Sequence, residues 1–320
     1  MISEEALRTP SITNSQLWGS GANVSLWISC HGFEARSTRH LHLPRVSARR
    51  MISFGFGFPS TDEHPELADR LEHARDDLSR AGFELLVTND GEYERIVKDA
   101  LDQLSSSERP LVVADISSMN RTRIASLMLA CASQKLPYGC DLEVVYFPST
   151  FASHKHGYEP LETFSPSHDL IAGWPSDPDL PLALILGLGT EPRRAEGIVE
   201  TVEPDILGLF EPVGDEEEYS ADVHRENRRV LEVGGESTPY LVRDPELTFL
   251  ALSASVERLA ERARIIIVPL GPKIFAAIAV CVAVAFGAEI GVWKASAGAG
   301  VQPINVEGSD VPVVARFAFN

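Results

Sequence analysis

Two loops at corresponding places in the two halves of the chain share the pattern Gly-x-Glu-x-Arg. Each loop follows a short apolar run that is typical of a strand and precedes a run with helical periodicity. A glycine lets a ligand approach the backbone closely, and an arginine offers a planar, charged fork to a phosphate or carboxylate. The same residues could instead form an internal Glu–Arg pair that caps the helix. The candidate ligand-binding residues in these loops are Gly32, Glu34, Arg36, Gly189, Glu191 and Arg193.

A second pair of loops follows a later strand in each half and opens the next helix. Small residues, hydroxyls and a cation lie together in these loops, so they could donate hydrogen bonds to a phosphate or a base. Serine at such a position also commonly caps a helix, and this alternative stays open for both serines. The candidate ligand-binding residues here are Ser117, Ser118, Asn120, Arg121, Gly271 and Lys273.

The elements that must position these loops alternate between β-branched strands and apolar-periodic helices. This alternation predicts an α/β fold with parallel sheets and helices on their faces. Besides the shared loop pattern, Asp90 recurs as Asp244 and Val112 recurs as Ile266, at nearly constant separation along the chain. The sequence therefore predicts two tandem Rossmann-like units related by internal duplication.

The division that we expect begins with an N-terminal tail at 1–22 and a first Rossmann-like copy at 23–150. A proline-rich linker at 151–180 follows, and a second Rossmann-like copy occupies 181–320. A last strand over 311–319 would then belong to the second copy.

Composition limits the classes of partner. With a net charge of −18, the chain repels polyphosphate over most of its surface, so we expect no extended nucleic-acid binding. The apolar run 274–288 is shorter than the roughly 20 residues that cross a bilayer, so it predicts a buried helix and no membrane partner.

The four cysteines form no paired motif, which favours a cytoplasmic location and no metal site. Pro192 stands where a dinucleotide-binding fingerprint needs its third glycine, so we expect no nicotinamide or flavin cofactor.

A strand that ends in a small-residue turn with a lysine before a helix resembles the CARF (CRISPR-associated Rossmann fold) arrangement and that of the related SAVED domain. Residues 270–273 (Leu-Gly-Pro-Lys) are similar to the CARF turn, which typically reads Thr-Gly-Gly-Thr-Lys, and residues 117–121 match it more loosely. SAVED domains hold two CARF-like units in one chain. The resemblance implies a sensor of a nucleotide second messenger, such as a cyclic oligonucleotide, in prokaryotic antiviral defence. Such sensors usually carry an effector domain on the same chain, and we find no segment here that would form one. The resemblance therefore implies either a separate effector protein or a protein that itself cleaves the ligand.

Three functions stay open at this level. The first is a binding module whose two copies share a partly basic pocket for a small nucleotide-like ligand. The second is an enzyme acting on a nucleotide or phosphorylated substrate, with Asp115 or Glu34 as general base. His154 and His156 could bind a metal there only with a third ligand, and their spacing is more typical of a linker. The third is a scaffold subunit whose acidic run at 215–218 contacts a basic partner.

Overall fold

The structure, a computed structural model, describes residues 7–15, 23–43, 48–56, 65–104, 108–150, 161–174, 177–234, 236–287, 289–296 and 306–320. The chain divides into two compact units. The first comprises Met1–Thr150 together with Pro303–Asn320, and the second comprises Phe151–Gln302.

Short strands alternate with helices in both units. The strands are β1 (Pro10–Asn14), β2 (Val24–His31), β3 (Met51–Gly55), β4 (Glu84–Val87), β5 (Leu111–Asp115), β6 (Cys140–Tyr146), β7 (Thr163–Pro166), β8 (Leu182–Gly187), β9 (Ile206–Val213), β10 (Glu236–Leu241), β11 (Arg264–Pro269), β12 (Ile290–Ser296) and β13 (Val313–Phe319). The α-helices are α1 (Pro65–Ala81), α2 (Asp90–Asp102), α3 (Arg121–Ala132), α4 (Arg194–Val202), α5 (Glu217–Glu226), α6 (Arg228–Val233), α7 (Pro245–Ala260) and α8 (Lys273–Phe286). Two 3₁₀ helices span Ala35–His42 and Asp169–Ile171.

The two sheets share one topology at their centres. The sheet of the first unit has the order β1-β13-β6-β5-β2-β3-β4, and that of the second unit has the order β10-β9-β8-β11-β12-β7. The five strands β2 to β6 are mutually parallel, as are the five strands β8 to β12. When the five strands of each set are numbered in chain order, both sheets arrange them as 3-2-1-4-5. The predicted α/β fold of two Rossmann-like units with mainly parallel sheets is therefore confirmed.

Local sequence signals set the helix starts that flank the sheet ends. Asn89 caps α2 by accepting the N–H of Glu92, whose carboxylate accepts the N–H of Asn89 in return. Asp244 caps α7 with one hydrogen bond, in which its carboxylate accepts the N–H of Leu247. Helix α8 is buried from Ile274 to Val284, so the apolar run belongs to a core helix, as the sequence predicts. No helix within the described ranges combines the length and apolar character needed to cross a bilayer.

The edges of both sheets differ from the expected division. The last strand, β13, lies in the first unit, where it pairs antiparallel with β6 and β1. A reason is that β6 carries the fully buried carboxylate of Glu143, and Arg316 on β13 donates to it at 2.8 Å. The expected tail contains β1, and the expected linker contains β7, which covers the edge of β12. Helices α5 and α6 are separated at Asn227, whose side-chain amide donates to the carbonyls of Gly189 and Val223.

Candidate functional site

Each sheet has one point where the strand order reverses. In the first unit this point lies between β2 and β5, and in the second unit it lies between β8 and β11. Open parallel sheets bind ligands in the crevice outside the carboxyl ends of the two strands at such a point. The four loops that the sequence singles out are the loops that leave these four strands. The tertiary structure thus brings the predicted loops together in pairs, one pair in each unit.

In the first unit, the two charged side chains of the predicted motif in the loop after β2 pair with each other. Arg36 donates from Nε to Glu34 at 2.8 Å and from Nη2 to the other carboxylate oxygen at 3.2 Å. Burial acts to lower the pKa of Arg36, but the charge and hydrogen bonds of Glu34 outweigh this effect and raise the pKa above its usual value. Gly32 has no left-handed backbone angle, and a Cβ there would meet no atom within 4 Å. The backbone conformation at Gly32 therefore does not require glycine, and the close approach of a ligand there stays a prediction.

The loop after β5 meets the loop after β2 through one hydrogen bond. Ser118 donates from Oγ to Glu34 at 3.3 Å. Ser117 is fully buried, and its hydroxyl accepts the N–H of Phe147 at 2.8 Å, so it belongs to the framework. Asn120 caps α3 by accepting the N–H of Arg123, and it donates to both carboxylate oxygens of Asp90 at 3.1 Å. Asn120, and neither Ser117 nor Ser118, therefore caps α3, and Arg121 is the half-buried first residue of the helix.

Sequence reasoning missed Arg123, which lies behind this crevice. Its side chain is fully buried, donates to Asp90 at 3.0 Å and to the carbonyl of Thr88 at 2.6 Å, and also reaches the carbonyl of Gly55. The guanidinium carbon lies 3.8 Å from the ring centroid of Phe56. An arginine at the start of an otherwise apolar helix was the available signal, and the prediction placed the cation at Arg121 instead.

Asp115, a candidate general base, also has hydrogen-bond partners within the protein. It is buried at the end of β5, where Oδ2 lies 2.8 Å from Nδ1 of His40 and Oδ1 accepts the N–H of Ser117 at 2.8 Å. Glu34 is bound to Arg36, so neither predicted carboxylate is poised to activate a water at this crevice. His154 and His156 lie outside the described residues. Within the described ranges, His, Cys, Asp and Glu form no group of three that could hold a metal ion.

In the second unit, the corresponding Glu–Arg pair does not form. Arg193, at a left-handed φ of 58°, donates to Glu196 at 2.8 Å, one turn into α4. Hydrogen bonds from Arg193 and Arg229 lower the pKa of the Glu196 carboxyl. The carboxylate of Glu191 makes no hydrogen bond or ion pair within the described part of the chain. One of its oxygens lies 2.8 Å from where a Cβ on Gly189 would be, so the carboxylate stands against the switch-point loop.

The loops after β8 and β11 pack closely against each other. A Cβ on Gly271 would overlap the carbonyl oxygen of Leu188, and a Cβ on Gly189 would lie 3.0 Å from the carbonyl oxygen of Leu270. The glycines therefore permit loop-to-loop contact, which is a different reason from the ligand approach that the sequence suggested. The Tyr240 hydroxyl lies 3.6 Å from the same Gly271 position.

Helix α8 begins directly beyond this contact with Lys273 as its first residue. The residue before it, Pro272, supplies no side-chain cap, and its first turn holds no acidic residue. In the first unit the equivalent position before α3 is Asn120, whose side chain does cap the helix, so the two helix starts differ. Gly189, Glu191 and Gly271 thus lie together at the second switch point, and Lys273 follows two residues after Gly271 at the start of α8. Arg193 instead turns toward Glu196 on α4.

No protein-family model and no curated protein matches this chain. Among solved structures, the chain is similar to the adenylation, ketoreductase and pseudo-Asub multidomain structure of a keto acid-selecting NRPS module, with 9% sequence identity and a TM-score of 0.21. That match covers 82% of this chain and 28% of the other chain. Similarity at this level supports no inference about function.

Proposed function

We propose that this chain binds a small, anionic, nucleotide-like ligand at the switch point of its second unit. The observation that supports the proposal is the pairing of two opposite kinds of group there. The positive charge of Lys273 and the N-terminal end of α8, which follows a proline without a side-chain cap, suit a phosphate. Glu191, whose carboxylate has no partner in the described chain, suits the hydroxyls of a ribose, which it can bind as an acceptor.

The first unit is the weaker candidate for the same ligand. Its equivalent carboxylate, Glu34, already accepts from Arg36 and Ser118. Its equivalent helix start is capped by Asn120. A ligand would have to displace these internal bonds, and breaking them costs part of the binding free energy. We therefore assign the ligand to the second unit and a mainly structural role to the equivalent residues of the first.

The resemblance to the CARF and SAVED arrangement suggests the class of ligand and the biological setting. On this proposal the ligand is a nucleotide second messenger, such as a cyclic oligonucleotide, and the protein is a sensor in prokaryotic antiviral defence that acts on a separate effector. Hydrolysis of the messenger is a distinct activity, and neither Asp115 nor Glu34 is available as its base, so we propose binding without turnover.

The first test is native mass spectrometry of protein purified from its host, followed by titration calorimetry with cyclic and linear oligonucleotides and mononucleotides. We expect Lys273→Ala to weaken binding at least about tenfold, because it removes a charge-assisted contact to phosphate. Glu191→Gln should weaken binding of nucleotides but not of inorganic phosphate. Lys98→Ala is the matched control, because Lys98 pairs with Glu94 on the solvent-facing side of α2 in the first unit.

Equal affinity of the wild type and Lys273→Ala for every ligand found would overturn the assignment. Release of linear products from a cyclic ligand would contradict binding without turnover.

A further inference from the structure

The second unit contains a groove between helix α7 and strands β9 and β10, which is independent of the proposed function. Its volume is about 380 Å³, within the range of sites for small molecules. Asp205, Ile206 and Glu236, at the amino ends of β9 and β10, lie along it. The switch-point loops leave the carboxyl ends of the strands, so these three residues lie at the opposite end of the second sheet from the proposed nucleotide site.

A glycine in the middle of β9 leaves the floor of this groove open. Gly208 pairs with Ile185 of β8 and with Glu236 of β10, and neither pairing contains a bulge. Its φ lies outside the left-handed region, and a Cβ there would meet Ile185 at an ordinary contact distance of 3.6 Å. Neither the backbone nor the packing therefore requires glycine, although glycine weakens the interior of a strand. A glycine in a regular strand often marks a place where a ligand approaches the backbone closely.

Four charged side chains line the groove, and only two of them pair with each other. Arg258 of α7 donates to both carboxylate oxygens of Glu236, at 3.0 Å and 2.5 Å. Arg262, one helical turn further along, forms no ion pair with any residue that the structure describes. Asp205 accepts the N–H of Leu182 at 2.8 Å and likewise forms no ion pair in the described part of the chain. A positive and a negative side chain thus border one groove without bonding each other.

The same groove offers an apolar surface. Ile206 and Gly208 are half-buried in its floor, and Leu259 of α7 forms part of its wall. An apolar group placed over Gly208 would remove this surface from water, which is favourable. The groove therefore suits a molecule that combines an apolar body with a charge of each sign.

We infer that this groove binds a small zwitterion with an apolar side chain, of which an α-amino acid of the size of leucine or phenylalanine is the simplest. The carboxylate of the ligand accepts from Arg262, and its ammonium group donates to Asp205. Its side chain lies over Gly208 against Leu259. A zwitterion satisfies both charges at once, whereas Asp205 would repel a plain anion and Arg262 would repel a plain cation.

The test compares leucine and phenylalanine with their N-acetyl and amide derivatives, which lack the ammonium and the carboxylate charge respectively. The full-length protein is labelled with ¹³C at the δ1 methyl groups of isoleucine, and Ile206 reports on the groove. We expect at least one of the two amino acids to shift the Ile206 resonance saturably, and both of its derivatives to bind at least about tenfold more weakly. Ile28 and Ile124, which are buried in the first unit, serve as internal controls.

Variants separate the two charges from the groove itself. Arg262→Gln should bind the amino acid and its amide equally. Asp205→Asn can still accept from Leu182, and it should bind the amino acid and its N-acetyl derivative equally. Gly208→Val places methyl groups in the groove and suits a strand, so it should abolish binding. Gly197→Ala, on α4 with open space around it, should change nothing.

If Gly208→Val does not fold, the derivatives and the two charge variants still decide the question. Absence of an Ile206 shift with both amino acids would overturn the inference. Equal affinity of the wild type for an amino acid and its two derivatives would overturn it as well.

Discussion

Arg123 lies behind the crevice of the first unit, and its guanidinium bonds groups inside the protein and not the crevice. Its donors reach Asp90 on α2 and the carbonyls of Gly55 and Thr88, so it joins the ends of β3 and β4 to the start of α2. A buried cation is stable only when its donors are satisfied in this way. The positive charge of Arg123 therefore stabilises the end of the sheet and is not available to a ligand.

The charge of Arg123 also acts on His31, which lies 1% exposed at the end of β2. Burial, followed by the charges of Arg75 and Arg123, lowers the pKa of His31 from 6.5 to about 4. Between these values the unfolded chain binds a proton that the folded chain does not. We expect the free energy of unfolding to fall by up to about 3 kcal/mol as the pH drops from 6.5 toward 4, and this contribution to be constant above 6.5.

Urea denaturation at a series of pH values measures this effect. His31→Gln is the comparison, because glutamine can still bond Ser53 but does not titrate. The variant should lose less stability than the wild type between pH 6.5 and pH 4. Identical pH profiles for the two proteins would show that His31 is not the group responsible.

At the scale of the element, equivalent loops in the two units are built differently. In the second unit the loops after β8 and β11 touch through Gly189 and Gly271. In the first unit the loops after β2 and β5 are joined by the Ser118–Glu34 hydrogen bond, and Gly32 has open space around it. Glycine at the same motif position is required by packing in one copy and is not required in the other.

Gly271→Ala and Gly32→Ala test this difference. The alanine methyl at position 271 would overlap the backbone of Leu188, so we expect the free energy of unfolding to fall by more than about 2 kcal/mol. At position 32 the methyl meets nothing, so the change should stay within about 0.5 kcal/mol. Thermal or urea unfolding of both variants decides between these outcomes, and a similar loss in both would contradict the packing argument.

At the scale of the whole molecule, the first sheet is completed by residues from both ends of the chain. Strand β13 lies between β6 and β1, and its side chains Phe317 and Phe319 are fully buried. Residues distant along the chain thus close the core of the first unit, while the second unit is formed by one continuous segment.

Removal of residues 303–320 should therefore affect the units unequally. We expect amide hydrogen exchange in β6 to accelerate at least about 100-fold, because this strand loses its antiparallel partner and the aromatic cover of β13. Peptides from residues 182–296 should keep their protection and serve as the internal control. Unchanged exchange in β6, or equal loss of protection in both units, would contradict this description of the fold.

Local periodicity was enough to predict the alternation of strands and helices, the two Rossmann-like units and the buried helix α8. Strand and helix patterns depend on neighbours within a few residues, and those neighbours are visible in the sequence. The four loops were located correctly for the same reason, because each lies between a strand and a helix that are themselves recognisable.

Only the tertiary structure decided which partner each polar group takes. Glu34 pairs with Arg36, whereas the equivalent Arg193 turns to Glu196, and Glu191 has no partner among the residues that the structure describes. The tertiary structure also decided the sheet to which β13 belongs, because β13 pairs with β6 although many residues separate the two strands along the chain. Such choices depend on side chains and strand edges that meet through the fold, and a motif written along one chain does not contain that information.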